Sequence, residues 1–233
     1  MPIAEDTPPA DARPASSWSW PNFTRNAVVT AAVIGLGAWF VIAAVVPNVS
    51  PKNFGVVREG QLYRSGVLTP ASLAGVIEDH DIRTIVDLGG HLRDSRSEQR
   101  EIDTADAMGV RYVYLPLFGD GTGDPNMYAE ALRIINDPAN QPVLVHCSAG
   151  SERTGGLVTL YRHIEQGVPL NEAYAECPNF GHDPSKNTVL RPMLDTWAGA
   201  IAESVRTGEP IAYDGATAAI PPADPAPTGA DGG

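Results

Sequence analysis

The sequence predicts an α/β fold, a mostly parallel central sheet flanked by helices, preceded by one N-terminal transmembrane helix. Three observations predict it. Short apolar runs, partly β-branched, alternate with segments of helical spacing between Val56 and Val205, the pattern of strands joined by crossover helices. One of those runs, Val143–Val145, leads through a turn of small residues into a helix-like segment, Leu157–Gln166. Ahead of them all, Ala27–Val46 carries no charge. At about 1.5 Å per residue that run reaches roughly 30 Å, the thickness of a bilayer core.

In chain order, residues 1–26 are rich in Pro, Ala, Ser and acidic residues and read as a disordered tail. Trp18 and Trp20 stand where an aromatic belt would lie ahead of an anchor over residues 27–46, and Pro47-Asn48 ends it. The preceding tail is long and holds Glu5, Asp6 and Asp11, which argues against a cleavable signal peptide. A run apolar on every face argues against an ordinary core helix. The chain is therefore expected to be a single-pass membrane protein. Arg13 and Arg25 lie on one side of the span and Lys52, Arg58 and Arg64 on the other, so basic residues do not fix its orientation.

Residues 53–205 read as one folded domain. Val56–Tyr63 is a first strand with a turn at Glu59-Gly60. Thr69 is placed to cap a helix over residues 70–79. Thr84–Leu88 is a buried strand closed by Gly89-Gly90. The segment His91–Met108 turns helical from about Asp94, and its Arg93, Arg96 and Arg100 read as a solvated face, with a border to a phosphate site as the alternative. Val110–Leu117 is a strand and Tyr128–Ile135 a helix broken by Asn136-Asp137-Pro138. Leu157, Leu160, Tyr161 and Ile164 form the core face of the helix that ends at Gly167-Val168-Pro169. Leu170–Cys177 and Leu190–Val205 are further helices. Pro, Ala, Gly and Asp dominate residues 207–233, which read as a disordered C-terminal tail.

Composition narrows the function. A formal net charge of -12 argues against nucleic-acid binding, which needs a basic face. Two cysteines, Cys147 and Cys177, do not make a disulfide framework. The five histidines are scattered, with no metal-ligand spacing and no nucleotide-binding glycine loop, so neither a metal nor a cofactor is expected.

The chemistry concentrates at Pro142-Val-Leu-Val-His-Cys-Ser-Ala-Gly-Ser-Glu-Arg-Thr-Gly155. A turn from a strand into a helix N-terminus points backbone N–H groups into one concavity, where the helix dipole adds positive potential for a phosphate dianion. Ala149 and Gly150 are small enough for the backbone to approach the ligand. Arg153 offers a planar fork to two oxygens. The same field lowers the pKa of Cys147 and makes it a nucleophile aimed at phosphorus.

His146, Cys147, Arg153 and Thr154 resemble the His-Cys-x5-Arg-Ser/Thr signature of the cysteine-dependent protein tyrosine phosphatase superfamily. Gly60-Gln-Leu-Tyr-Arg-Ser-Gly66 and Gly119-Asp120-Gly121 make the chain similar to its compact, atypical dual-specificity members. The resemblance implies attack by Cys147 to give a phosphocysteine, phosphate binding by Arg153 and by the loop residues Ser148, Ala149, Gly150, Ser151 and Glu152, and a Thr154 hydroxyl that stabilises the thiolate as it leaves. It also implies an aspartic acid that protonates the leaving oxygen, on the loop Phe118–Pro125. Asp120 is the first choice and Asp124 the second, since Asp124 before Pro125 equally suits a helix cap; Glu152, beside Arg153, is a third candidate that equally suits orienting the loop or tuning substrate choice.

Relatives that act on inositol phosphates often carry lysines within the loop. Ser148, Ser151 and Glu152 stand there instead, and an acidic rim disfavours a multiply phosphorylated ligand. The expected substrate is therefore a phosphoprotein. A phosphoinositide or other small phosphoester, a phospho-binding module with little turnover, and another thiol enzyme stay open as alternatives. Cys177 reads as a packing residue, with a resolving redox role as the other possibility.

Overall fold

The computed structural model of the chain describes residues 20–42 and 50–215, apart from the side chains of residues 20–23. It divides into two units, Met1–Ala43 and Ala44–Gly233. In the first, helix α1 spans Trp20–Phe40. It begins well before the expected Ala27, so residues 20–26 are helical rather than tail. Val28, Val29, Val33, Ile34, Leu36, Trp39 and Phe40 are exposed. Arg25 lies inside the helix, and the uncharged part that is described, Ala27 to Ile42, covers only about 24 Å at 1.5 Å per residue. Among the described residues no helix is long and apolar enough to cross a membrane. The end of the expected span, like Trp18 and residues 1–19, lies outside the described residues.

The second unit holds the elements β1 (Gly55–Arg58), β2 (Leu62–Gly66), α2 (Pro70–His80), β3 (Thr84–Asp87), α3 (Arg96–Ala107), β4 (Arg111–Tyr114), α4 (Pro125–Asn136), β5 (Val143–Cys147), α5 (Glu152–Gln166), α6 (Leu170–Tyr174) and α7 (Leu190–Thr207). The strands form one sheet in the order β1-β2-β5-β3-β4. Only the β1–β2 pair is antiparallel. The stretch Val56–Tyr63, read as a first strand with a turn at Glu59-Gly60, is two strands of a hairpin with its turn at that place. Gly60, at φ 71, permits its turn.

Strand β5 sits centrally between β2 and β3, and all its residues are buried. Alternation along a strand sends successive side chains to opposite faces. Val143, Val145 and Cys147 pack with α4, α5 and α7 in the larger core. Leu144 packs with Ile85 and Tyr63 against the helices of the other face. Removing a large side chain from such a site, as in Leu144→Ala, costs about 2–5 kcal/mol. The same alternation separates two chemical neighbours. Cys147 faces the α4–α5–α7 layer, and His146 faces the α2–α3 layer.

Local signals set the helix starts. Thr69 accepts from the Ser72 N–H at α2, Ser95 from the Glu98 N–H at α3, and Asp124 from the Asn126 N–H at α4. Proline at the first position of α2 and α4 needs no N–H partner there. Part of the expected C-terminal tail, residues 208–215, is docked on the domain. Residues 208–215 are described and Ile211 is fixed to Asn126 by two hydrogen bonds, of 2.9 and 2.7 Å. Tyr213 meets the Trp197 ring edge-on at 6.0 Å. Residues 216–233 lie outside the described residues.

Candidate active site

The turn from β5 to α5 forms the base of the site. Gly150 takes φ +78, and a Cβ there would stand 2.7 Å from the Gly66 nitrogen, so only glycine lets the loop lie on β2. Its N–H donates to Cys147 Sγ at 3.3 Å. Burial alone would push the Cys147 thiol up. The Thr154 hydroxyl and N–H, the Arg153 charge and the Gly150 N–H outweigh it and lower the pKa. Cys147 is only 1% exposed. Arg153 donates through Nη1 to the carbonyls of Leu88 and Gly89, which orients the guanidinium. Its buried Nε has no protein partner.

Behind Cys147 lies a buried relay. His146 Nε2 pairs with Glu101 Oε1 at 3.0 Å, and Glu101 Oε2 meets His91 Nε2 at 2.5 Å. Burial alone would lower the His146 pKa, but Glu101, Asp87 and the Cys147 thiolate hold it up at about 9. Burial would raise Glu101, but His146 and His91 bring it down to about 2. Asp87, Glu101 and His146 are also the one grouping among the described residues that could hold a metal ion, which no spacing along the chain suggests. An imidazolium has no lone pair for a metal, and the Asp87 oxygens already accept from the Gly90 N–H and the Tyr112 hydroxyl. The grouping is better suited to fixing charge than to ligating metal.

Asp124 is the α4 cap, and one of its oxygens accepts from the Asn126 N–H at 2.9 Å and side chain at 2.8 Å. Asp120 is exposed, and one of its oxygens accepts from the Thr122 N–H and hydroxyl at 2.9 and 2.7 Å. Glu152 does not point a free charge at the loop rim. Its Oε2 is taken by His182 Nδ1 and by Asn187 Nδ2, each at 2.6 Å. Tyr174 bonds the other nitrogen of His182, and Asn187 also donates to the Asp120 carbonyl at 2.7 Å. A cleft of about 470 Å3 opens here between Asp120, Glu152, Lys186 and Asn187.

Ser148 is exposed, Ala149 half-buried and Ser151 buried. Arg93 pairs with Glu98 and lies over the Tyr114 ring, while Arg96 and Arg100 are exposed, in keeping with a solvated face. Cys177 is buried against Thr159, and burial pushes its thiol up. Sequence reasoning misses Glu101, His91, His182, Asn187, Lys52 and Asn53. They lie far from the signature in sequence and carry no periodicity that marks them.

A buried, activated cysteine below a glycine turn, with an arginine and a threonine at the start of the following helix, defines a cysteine-dependent phosphatase site of the protein tyrosine phosphatase superfamily. The profile of the family described as "DSP-PTPase phosphatase fused to NAD+ Kinase" matches residues 42–188, and the chain belongs to this family of atypical dual-specificity-type phosphatases. It is similar to the rice (Oryza sativa subsp. japonica) inositol diphosphatase DSP2, 30% identical over 169 residues that cover 70% of this chain and 77% of that one. It is also similar to the Saccharomyces cerevisiae inositol diphosphatase SIW14, 26% identical over 50% of this chain and 41% of the yeast protein. Among solved structures, the core catalytic domain of the S. cerevisiae PP-IP phosphatase SIW14 with citrate superposes with a TM-score of 0.53 at 24% identity, covering 67% of this chain and 94% of that one. P. aeruginosa TpbA in complex with pTyr gives 0.55 at 22% identity, covering 71% and 95%. These two likenesses establish the shared fold.

Proposed function

We propose that this chain is a phosphatase of small, multiply phosphorylated esters of the inositol diphosphate class, acting through a phosphocysteine on Cys147. The observation that carries this reading is the state of Asp120. Its carboxylate is exposed and tied within its own loop by Thr122, while the cradle itself is buried and organised. Such a site runs best on a leaving group that needs little protonation. A diphosphate departs as a phosphate, whose second pKa is near 6, whereas a tyrosine or serine oxygen must gain a proton.

In the first step the Cys147 thiolate forms an S–P bond as the P–O bond to the leaving group breaks. Arg153 and the loop N–H groups hold the three non-bridging oxygens. In the second, water attacks phosphorus, the S–P bond breaks, and the Thr154 hydroxyl stabilises the departing thiolate.

The names of the rice and yeast relatives favour the same substrate class. The acidic rim that points the sequence toward a phosphoprotein loses force, since the Glu152 carboxylate is turned to His182 and Asn187, which hydrogen-bond its Oε2. The phosphoprotein reading keeps one supporting observation, a loop with no cation besides Arg153. Phosphate release from an inositol diphosphate, a phosphotyrosyl peptide and an aryl phosphate decides between them. The proposal expects the highest kcat/KM on the first; a clear preference for the peptide overturns it.

Attachment to a bilayer through residues 27–46 is part of the proposal. It is supported by the exposed apolar side chains of α1 and the uncharged sequence on to Val46. Full-length protein should then sediment with membranes and resist high-salt washing, and release by salt alone would count against it.

A further inference from the structure

Three successive carbonyls of the signature loop are each held by a donor from outside it. Ser148 O accepts from Lys52 Nζ at 3.0 Å and from the Val67 N–H at 3.3 Å. Ala149 O accepts from Asn53 Nδ2 at 2.8 Å. Gly150 O accepts from Arg64 Nη2 at 2.6 Å. A trans peptide is planar, with its C=O and the next residue's N–H on opposite sides. Fixing the carbonyls of Ser148, Ala149 and Gly150 therefore fixes the N–H groups of Ala149, Gly150 and Ser151 in the opposite direction. The Gly150 N–H reaches Cys147 Sγ, so that direction is toward the nucleophile.

The donors are themselves fastened. The Lys52 carbonyl accepts from the Gly66 N–H at 2.7 Å, which binds this lead-in segment to β2. Asn53 takes φ 48, in the left-handed region that asparagine tolerates, and its side-chain amide also reaches the Phe180 carbonyl at 3.1 Å. The Phe180 ring in turn lies 3.6 Å from the Arg64 guanidinium carbon. Arg64 is buried in β2, but Lys52 and Asn53 are exposed and lie ahead of the first strand. Surface residues in a lead-in segment contribute little to global stability, and these two spend their side chains on the loop.

We propose that Lys52 and Asn53 are positioning residues of the phosphate cradle. They aim the loop amides at the phosphoryl oxygens, and the Lys52 ammonium adds positive charge at the Ser148 side of the rim. The inference rests on the reading of this loop as a phosphate-binding cradle. It also moves the functional start of the catalytic domain to a point before Lys52, where the sequence places it at residue 53.

The test uses full-length protein and inorganic phosphate as a competitive inhibitor, with the pH dependence of Cys147 alkylation and the melting temperature measured alongside. Asn53→Gly keeps the left-handed backbone and removes the amide. Asn53→Asp keeps the shape and sets an anion against two carbonyls. Lys52→Met keeps the aliphatic stem and removes the charge. Asn53→Gly and Lys52→Met should weaken phosphate binding by about three- to tenfold, the effect of one net hydrogen bond, and shift Cys147 alkylation to higher pH. Asn53→Asp should lose more, Lys52→Arg should restore most of the binding, and melting temperatures should stay within about 3 °C of the unaltered protein. Phosphate affinity and alkylation profile unchanged in both Asn53 variants would overturn the inference while leaving the cradle reading intact. Losses that simply track a falling melting temperature would also overturn it. Failure of the unaltered protein to bind phosphate would instead remove the cradle reading on which it rests.

Discussion

The loop that carries Cys147 and the loop that carries Asp120 are held in opposite ways. The first is wedged against β2 at Gly150, and its carbonyls are tied by Lys52, Asn53 and Arg64. The second bonds mainly to itself, Phe118 N–H to Thr122 O at 2.9 Å and Thr122 to Asp120. Its outside ties are the Tyr128 hydroxyl on Gly121 O and the Asn187 amide on Asp120 O, each at 2.7 Å. Phe118 is 62% exposed. On the proposed reading, phosphate binding and nucleophile activation are built into the core, whereas proton donation is left to a surface loop. An enzyme divided this way stabilises the phosphoryl group strongly and depends on the leaving group to depart with little help.

The largest expected effects lie on the rigid side. Cys147→Ser should lower turnover by more than about 10³-fold while retaining phosphate binding, because a serine alkoxide does not form at neutral pH. Arg153→Ala should cost on the order of 10³-fold and lose binding as well. Substantial phosphatase activity in Cys147→Ser would break the comparison outright.

A smaller effect is expected from the relay behind the nucleophile. His146, raised to about 9 by Glu101, stays protonated at neutral pH, and the coupling with the thiolate is reciprocal. Glu101→Gln should therefore move the acidic limb of the kcat/KM profile to higher pH. The stability consequence has a definite sign. The raised His146 contributes stability that is fully present below its unfolded pKa of about 6.5 and lost as pH rises through about 9. The depressed Glu101 contributes stability present above about 4.5 and lost as pH falls through about 2. The ion pair should stabilise most between roughly pH 4.5 and 6.5, so Glu101→Gln should lower the melting temperature most within that window and flatten its fall on either side. An unchanged pH profile would detach the relay from the thiolate.

The smallest effect is expected where the two loops are joined. Asn187 bonds both the Asp120 carbonyl and Glu152. Asn187→Ala should lower kcat by a few fold, more for a phosphotyrosyl peptide than for an aryl phosphate, with phosphate inhibition nearly unchanged. Equal losses on both substrates would mean that the contact supports the cradle and not the acid loop.

The rigid loop is the part that the sequence displays. An apolar strand, small residues and an arginine six positions after a cysteine are local in sequence, and each has a direct physical reason. The partners that tune it are not local. Lys52 and Asn53 act across 96 positions, and Glu101 is a buried carboxylate on a helix whose charges read as a solvated face. Asp124 shows the converse case, a residue that the sequence offers as acid or cap and that the structure places at the α4 start as the cap. At Glu152 the side chain is visible in the sequence but its partners are not, so a carboxylate hydrogen-bonded by His182 and Asn187 reads as one facing the rim freely. The same blindness to distant partners affects residues 208–215, whose composition suggests a free tail although Ile211 and Tyr213 dock on the domain.

The division between a fixed cradle and a lightly held acid is tested most directly by kcat/KM of Asp120→Asn on two substrates, an inositol diphosphate and a phosphotyrosyl peptide. General acid catalysis contributes about 10²–10⁴-fold where a proton is needed. The account expects a loss of that order on the peptide and less than about tenfold on the diphosphate. A loss of 10² or more on both, or a larger loss from Asp124→Asn, would contradict it.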